Sequence, residues 1–214
     1  MALTKEVPNI KSSILRRIEE SPENSIFFIS DFLEFGSMPS VKKTLRQALS
    51  LGIISHVAHG IYVKPMASRF GEVPPSLEKI AKEIAQRDRV EIMPSGSTAA
   101  NILGLSIQVP MVVSYLTTGS SRTIKIGKRA IKFRHAAPRN FAYAGTTIPL
   151  VVQAFKELEA DNIGEKELSV LHKYLSDAPD KDTFQKDIIL APQWIQSIVK
   201  PIIKTLQDET LATV

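Results

Sequence analysis

The 214-residue sequence predicts a mixed α+β chain: an N-terminal winged helix-turn-helix, then a small α/β domain, then a helical C-terminal tail. Three observations carry this prediction. Residues 8–64 switch between helical and strand periodicity in the order helix, short strand, helix, helix, hairpin. Residues 77–134 mix both periods, and beyond residue 149 only helical stripes remain. The run Lys64–Ser76 (KPMASRFGEVPPS) and the stretch Asn140–Pro149 punctuate the chain. The expected segments are therefore 1–66, 77–148 and 149–214.

Each element has a local reason. Ile10, Ile14, Leu15 and Ile18 share one helical face, and Ser21-Pro22 ends that helix. Ser25–Ile29 is an apolar run of strand length. Ser30 caps a brief helix over Asp31–Phe35, which Gly36 stops. The next helix, Pro39–Ser50, sets Val41, Leu45, Ala48 and Leu49 inward and stops at Gly52. Ile53–Val57 and Ile61–Lys64 read as strands joined through Ala58-His59-Gly60. With three prolines and a glycine, Lys64–Ser76 reads as a linker.

In the second segment, Leu77–Arg87 is an amphipathic helix with Leu77, Ile80, Ala81 and Ile84 inward. Val90–Met93 is a short strand and Ser97–Leu103 a helix. Met111–Leu116, Thr123–Ile126 and Ala130–Arg134 are strands, the last two joined by Gly127-Lys128-Arg129. In the tail, Val151, Ala154, Phe155 and Leu158 form one stripe, and Leu168, Leu171 and Leu175 a second. Ile195, Ile198, Val199, Ile202, Ile203 and Leu206 form a third, through which Pro201 is expected to kink the helix. These stripes predict core, with the third also suited to a partner.

Composition narrows the function classes. Cysteine is absent, which excludes a disulfide framework and thiolate chemistry. No run approaches the roughly 18 apolar residues of a membrane span, and the N-terminus lacks the apolar core of a secretory signal. A cytoplasmic protein with no membrane association is expected. The net charge of +5 is unevenly spread. Residues 1–70 carry nine Lys/Arg against six Asp/Glu, residues 71–148 eleven against five, and residues 149–214 seven against eleven. Between Glu91 and Glu157 there are eight bases and no acid. A basic body with an acidic tail points to a polyanionic partner.

The predicted third helix gives that partner a surface. Lys42, Lys43, Arg46 and Gln47 are spaced to share one exposed face opposite the apolar stripe. Two ammonium groups and a guanidinium suit phosphates, and Arg46 and Gln47 suit bidentate contacts to guanine and adenine edges. Ser40 and Thr44 would add hydroxyl contacts, with His59 and Lys64 contributing from the hairpin. A second basic surface is expected on the later strand pair. Arg122, Lys125, Lys128, Arg129, Lys132, Arg134 and Arg139 fall within eighteen residues, and Lys132 and Arg134, two apart, share a strand face. That surface would serve DNA or RNA; as an edge hairpin it would equally be kept soluble by its bases.

Catalytic signals are weak. Gly96-Ser97 between strand and helix is suggestive of a nucleotidyltransferase opening, but that chemistry needs carboxylates to hold magnesium. No Asp or Glu occurs from Ile92 through Lys156. Phosphate-binding glycine loops and a G-x-S-x-G elbow are absent. His56-x-x-His59 has no neighbouring carboxylate to complete a metal site. No enzyme activity, cofactor or metal is expected. A non-catalytic protein-interaction module and an RNA-binding protein remain the alternatives.

Three stretches together resemble the AbiEi-type antitoxins of bacterial type IV toxin–antitoxin systems, specifically the short AbiEi-related transcriptional regulators. They are TLRQALSLGIISHVAHGIYVKP, MPSGSTAANILGLS and RTIKIGKRAIKFRHAAPRNF. The resemblance runs from Ser12 to Tyr143, and rests on the Leu-Gly-Ile-Ile…Gly-Ile-Tyr-Val wing pattern and on Ser95, Gly96, Ala99, Gly104 and Leu105. It implies an autoregulating repressor bound to its own promoter, a nucleotidyltransferase-like toxin as functional partner, and a C-terminal domain that counters the toxin. The helix bearing Lys42, Lys43, Arg46 and Gln47 takes the recognition role, and the hairpin around Gly60 is the wing. The wing departs from the family: it reads Ala58-His59-Gly60 where arginine is common, and imidazoles carry less charge near neutral pH than guanidiniums.

Overall fold

The computed structural model describes residues 9–69 and 71–212. The chain is α+β and divides into two compact units, residues 1–83 with 125–127, and the remainder. Residues 1–8 of the expected first segment and 213–214 of the tail lie outside the described residues.

In the first unit, Asn9 accepts the Lys11 amide at 3.1 Å and so caps helix α1 (Ile10–Glu20). Strand β1 (Ile26–Phe28) is buried throughout. A 3₁₀ turn over Ile29–Phe35 follows, its start fixed by the Asp31 carboxylate, which accepts the Phe28 amide at 2.8 Å. Helix α2 (Met38–Ser50) has a proline in its first turn, where the missing N–H costs nothing. Strands β2 (Ser55–Ala58) and β3 (Ile61–Val63) complete an antiparallel sheet ordered β1–β3–β2, with Phe27 and His56 flanking Tyr62 in register. Gly60 has φ +71°, a left-handed conformation that suits glycine at this hairpin turn. Ile14, Ile18, Phe27, Phe32, Val41, Leu45, Ala48, Ile54 and Tyr62 form one core. Each such side chain contributes about 1.5–3 kcal/mol on burial.

The expected linker is instead a second hairpin of β4 (Met66–Ser68) and β5 (Gly71–Val73). Pro65, Pro74 and Pro75 lie just outside the ladder, so they bracket the pairing and remove none of its donors. The Ser55 hydroxyl donates to Glu72 at 2.9 Å, tying this hairpin to β2. Helix α3 (Leu77–Asp88), capped by the Ser76 hydroxyl, contains the division between the two units.

A four-stranded sheet ordered β6–β7–β9–β8 is built from β6 (Ile92–Pro94), β7 (Val112–Thr117), β8 (Arg122–Ile126) and β9 (Arg129–His135), all in the second unit but for the last two residues of β8. Strand β6 runs antiparallel to β7, whereas β7 and β9 are parallel. Val113, Tyr115, Thr117, Ile131 and Phe133 bury one face. Helices α4 (Ser97–Ile102), α5 (Thr147–Leu158), α6 (Glu165–Ser176) and α8 (Gln193–Ala212) follow the helical periods of the sequence, and a short α7 (Phe184–Asp187) lies between the last two without a stripe of its own. The third tail stripe packs into its own unit: Ile195, Val199 and Ile203 are buried with Val151, Phe155, Leu171 and Leu175, and Ile198, Ile202 and Leu206 lie against that cluster. Trp194 stacks on Phe155 with ring centroids 6.3 Å apart. Helix α8 continues through Pro201, which withholds one main-chain donor.

Nine consecutive residues of α5, Thr147 to Phe155, are buried. The segment that leads into it, and its first amide, are held from far along the chain. The buried Asp187 carboxylate accepts the Ala144 and Gly145 amides at 2.8 and 2.7 Å. Asp180 accepts the Thr146 and Thr147 amides at 2.6 and 3.0 Å, and the Thr147 hydroxyl. Gly145 is required here for space, since a Cβ would collide with the Asp180 carboxylate and the Thr183 hydroxyl. Burial works to raise the Asp180 pKa, but the Thr147 hydroxyl and the Thr147 and Thr146 amides outweigh it and hold the carboxyl below its ordinary value.

Two outcomes follow. Asp187→Ala strands two amides with no acceptor and should cost about 3 kcal/mol of stability, read as a drop in urea midpoint at constant slope. Because the folded Asp180 pKa is depressed, its contribution is complete above the unfolded value near ~4 and is lost as pH falls through the folded value. Urea midpoints of Asp180→Asn should therefore converge on wild type at acid pH and diverge above about pH 5; parallel profiles would contradict the assignment.

Candidate nucleic-acid interface

The inner stripe of α2 determines what its outer face presents. Burying Val41, Leu45 and Ala48 leaves Lys42, Lys43, Arg46 and Gln47 exposed together. The helix contains no acidic residue, and among the described residues no carboxylate pairs with Lys42, Lys43 or Arg46. Four of the expected contact residues are thus brought together as a continuous basic and amide face. His59 is exposed at the hairpin turn beside Gly60.

Three others are placed differently. Thr44 is buried at 6% exposure, and its hydroxyl donates to the Ser40 carbonyl at 3.1 Å, so it leaves the outer face. It stands three residues after Val41 and one before Leu45, which puts it on the apolar side. The Ser40 hydroxyl lies at the edge, 3.1 Å from the Ser37 hydroxyl. Lys64 is a scaffold residue: its ammonium donates to the Glu19 and Ser21 carbonyls, both at 2.7 Å, and closes the C-terminus of α1.

The second basic surface also sorts by strand alternation. On β9, Lys132 and Arg134 are exposed, whereas Arg129 follows the parity of buried Ile131 and Phe133 and is half-buried. Arg122 is committed: its guanidinium pairs with Asp88 and lies 5.4 Å from the Phe133 ring centroid. Burial of the Asp88 carboxyl works against its charge, but hydrogen bonds from Arg87 and Arg122 outweigh it and lower its pKa. Lys125 and Lys128 are exposed.

Among the described residues no three His, Cys, Asp or Glu side chains gather where they could hold a metal, and no helix is long and apolar enough to cross a membrane. Two open grooves of about 330 Å³ each lie in the second unit. One, along β6 and the start of α5, is lined by Glu91, Asn140, Tyr143 and Thr146 besides apolar groups. Burial, with Asp187 nearby, raises the Tyr143 pKa. The Ser95 hydroxyl is fully buried without a partner and lines neither groove. Sequence reasoning missed the exposed apolar run Ile107, Val109 and Met111 after α4, whose alternation resembles an ordinary strand start.

Lys64→Gln should lower stability by about 1–2 kcal/mol through the two lost carbonyl contacts, while leaving any nucleic-acid affinity at wild-type level. Thermal melts and anisotropy titrations on the same preparation separate the two roles.

No curated protein matches the chain. A family model does, over residues 13–183, which is most of the sequence and reaches into both units. The chain belongs to the family of unknown function DUF6088.

Proposed function

We propose that this protein is a cytoplasmic, non-catalytic DNA-binding transcriptional regulator that reads its own promoter region through α2. The observation that carries the reading is the unpaired outer face of that helix, Lys42, Lys43, Arg46 and Gln47, on a helix whose inner face is locked into a core. The arrangement around it supports a winged helix-turn-helix. Helix α1, strand β1, the Ile29–Phe35 turn, helix α2 and the β2–β3 hairpin follow in that order, with β1 pairing β3. In such a fold α2 enters the major groove and the hairpin flanks it as the wing. Lys42 and Lys43 neutralise phosphates, while Arg46 and Gln47 supply the two side chains capable of bidentate base contacts. The narrower proposal, an antitoxin opposing a nucleotidyltransferase-like toxin, draws its support from the AbiEi resemblance of Ser12 to Tyr143.

The test is fluorescence anisotropy on duplex DNA from immediately upstream of the reading frame, against a scrambled duplex, at 50–200 mM salt. Selective binding is expected. It should vanish in Lys43→Glu/Arg46→Glu with the melting temperature unchanged, and Arg46→Ala alone should reduce discrimination by about 1–3 kcal/mol. Equal affinity for both duplexes would refute the regulator reading. Co-expression with the product of the adjacent gene tests the antitoxin role, which fails if that product is harmless alone.

A further inference from the structure

We infer that the open face of the four-stranded sheet in the second unit is a second, sequence-independent surface for the phosphates of duplex DNA. The inference rests on the DNA-binding reading of α2 for its choice of DNA, but its own residues are distinct. Strand β9 turns Ile131 and Phe133 into the core and leaves Lys132 and Arg134 exposed on the other face. Their strand positions are about 6.6 Å apart. The parallel partner β7 places Ser114 beside Lys132 and Leu116 beside Arg134, and the exposed Lys128 stands just before β9. Among the described residues, none of these three cations has a carboxylate partner. The chain supplies no Asp or Glu between Glu91 and Glu157, and Asp88 is already held by Arg87 and Arg122.

The chemistry of this face selects its occupant. Its register neighbours on β7 are a hydroxyl and aliphatic groups, and the Tyr115 and Phe133 rings point into the core, while the exposed His135 ring follows Phe133 in strand parity and sits 2.9 Å from the Gly119 carbonyl. Single-stranded nucleic acid is held chiefly by bases stacked on exposed aromatics, and this face offers none. Fixed cations without stacking platforms or base-reading amides match the sequence-independent contacts that position proteins on a duplex backbone. A basic face so composed therefore adds affinity and salt dependence without adding selectivity.

The test measures the salt slope of binding, log Kd against log salt, for the promoter and scrambled duplexes. Lys132→Gln/Arg134→Gln changes two exposed side chains, and an unchanged melting temperature checks the fold. Its slope should fall by about 1.8 for two lost phosphate contacts, equally on both duplexes, with the ratio of their affinities preserved. Lys43→Glu/Arg46→Glu should instead abolish the ratio and retain residual binding, which adding Lys132→Gln/Arg134→Gln then removes. A wild-type slope in Lys132→Gln/Arg134→Gln would overturn this inference and leave the α2 reading standing. Salt-dependent binding lost only with Lys132 and Arg134, and never selective, would sustain the sheet surface and refute α2. Tighter binding to a single strand or to duplex RNA, or no binding to DNA by the wild-type chain, would overturn the assignment.

Discussion

The start of helix α5, a helix buried along nine consecutive residues, is pinned by two carboxylates from far along the chain. The first amides of any helix lack partners within it, and leaving a buried donor unmet costs about 1–3 kcal/mol. Asp180 and Asp187 reach back more than thirty residues to accept four main-chain amides between them, Ala144, Gly145 and Thr146 in the approach to the helix and Thr147 at its first residue. Negative charge at this end of the helix is favoured by the peptide dipoles as well. The clamp dictates further features of the unit. Gly145 must lack a side chain, Thr147 must carry a hydroxyl for Asp180, and the segment from Asp180 to Asp187 must lie against the start of α5. Phe184 and Ile188 are buried in the same core as Ile148 and Val151, so the polar clamp and the apolar packing position one another.

Much of the architecture was legible because helix stripes are local. The inward sets of α1, α2, α3 and α5 each appear within a dozen residues, and burial follows them: Ile14 and Ile18, Val41, Leu45 and Ala48, Ile80 and Ile84, Val151 and Phe155. Asp180 and Asp187 were illegible for the opposite reason. Their partners are 33–43 residues away, and nothing in an acidic tail marks two carboxylates as buried acceptors. The β4–β5 hairpin was obscured by its prolines, which as bare residue counts signal a linker. Only their positions outside the ladder permit the pairing.

Site residues divided along similar lines. Helical spacing identified the α2 face because exposure on a helix follows directly from which neighbours are apolar. Applied strictly, the same rule would have set Thr44 aside, since it shares the side of Val41 and Ala48. Lys64 and Arg122 were beyond its reach. A base counts toward a binding surface only if nothing else claims it, and the claimants are the carbonyls of Glu19 and Ser21 in one case and Asp88 in the other. Charge totals overstate a basic surface wherever such pairs form.

The distinction also explains why the two basic faces differ in kind. On α2, Lys42 and Lys43 are mobile point charges on flexible stems, whereas Arg46 and Gln47 carry planar groups with fixed donor geometry. A face that mixes them can both attract a polyanion and discriminate along it. On β9 the pair is one ammonium and one guanidinium with a serine hydroxyl and aliphatic neighbours, and no second planar group lies beside Arg134 in the register. Such a face, if it meets a polyanion, has charge to attract it and no planar pair to read it. Each face is set opposite a buried stripe of its own element, Val41, Leu45 and Ala48 under one, Ile131 and Phe133 under the other. The outward charges are therefore separable from the packing that aims them, and the stability of each element is set by its buried stripe and not by the bases it presents.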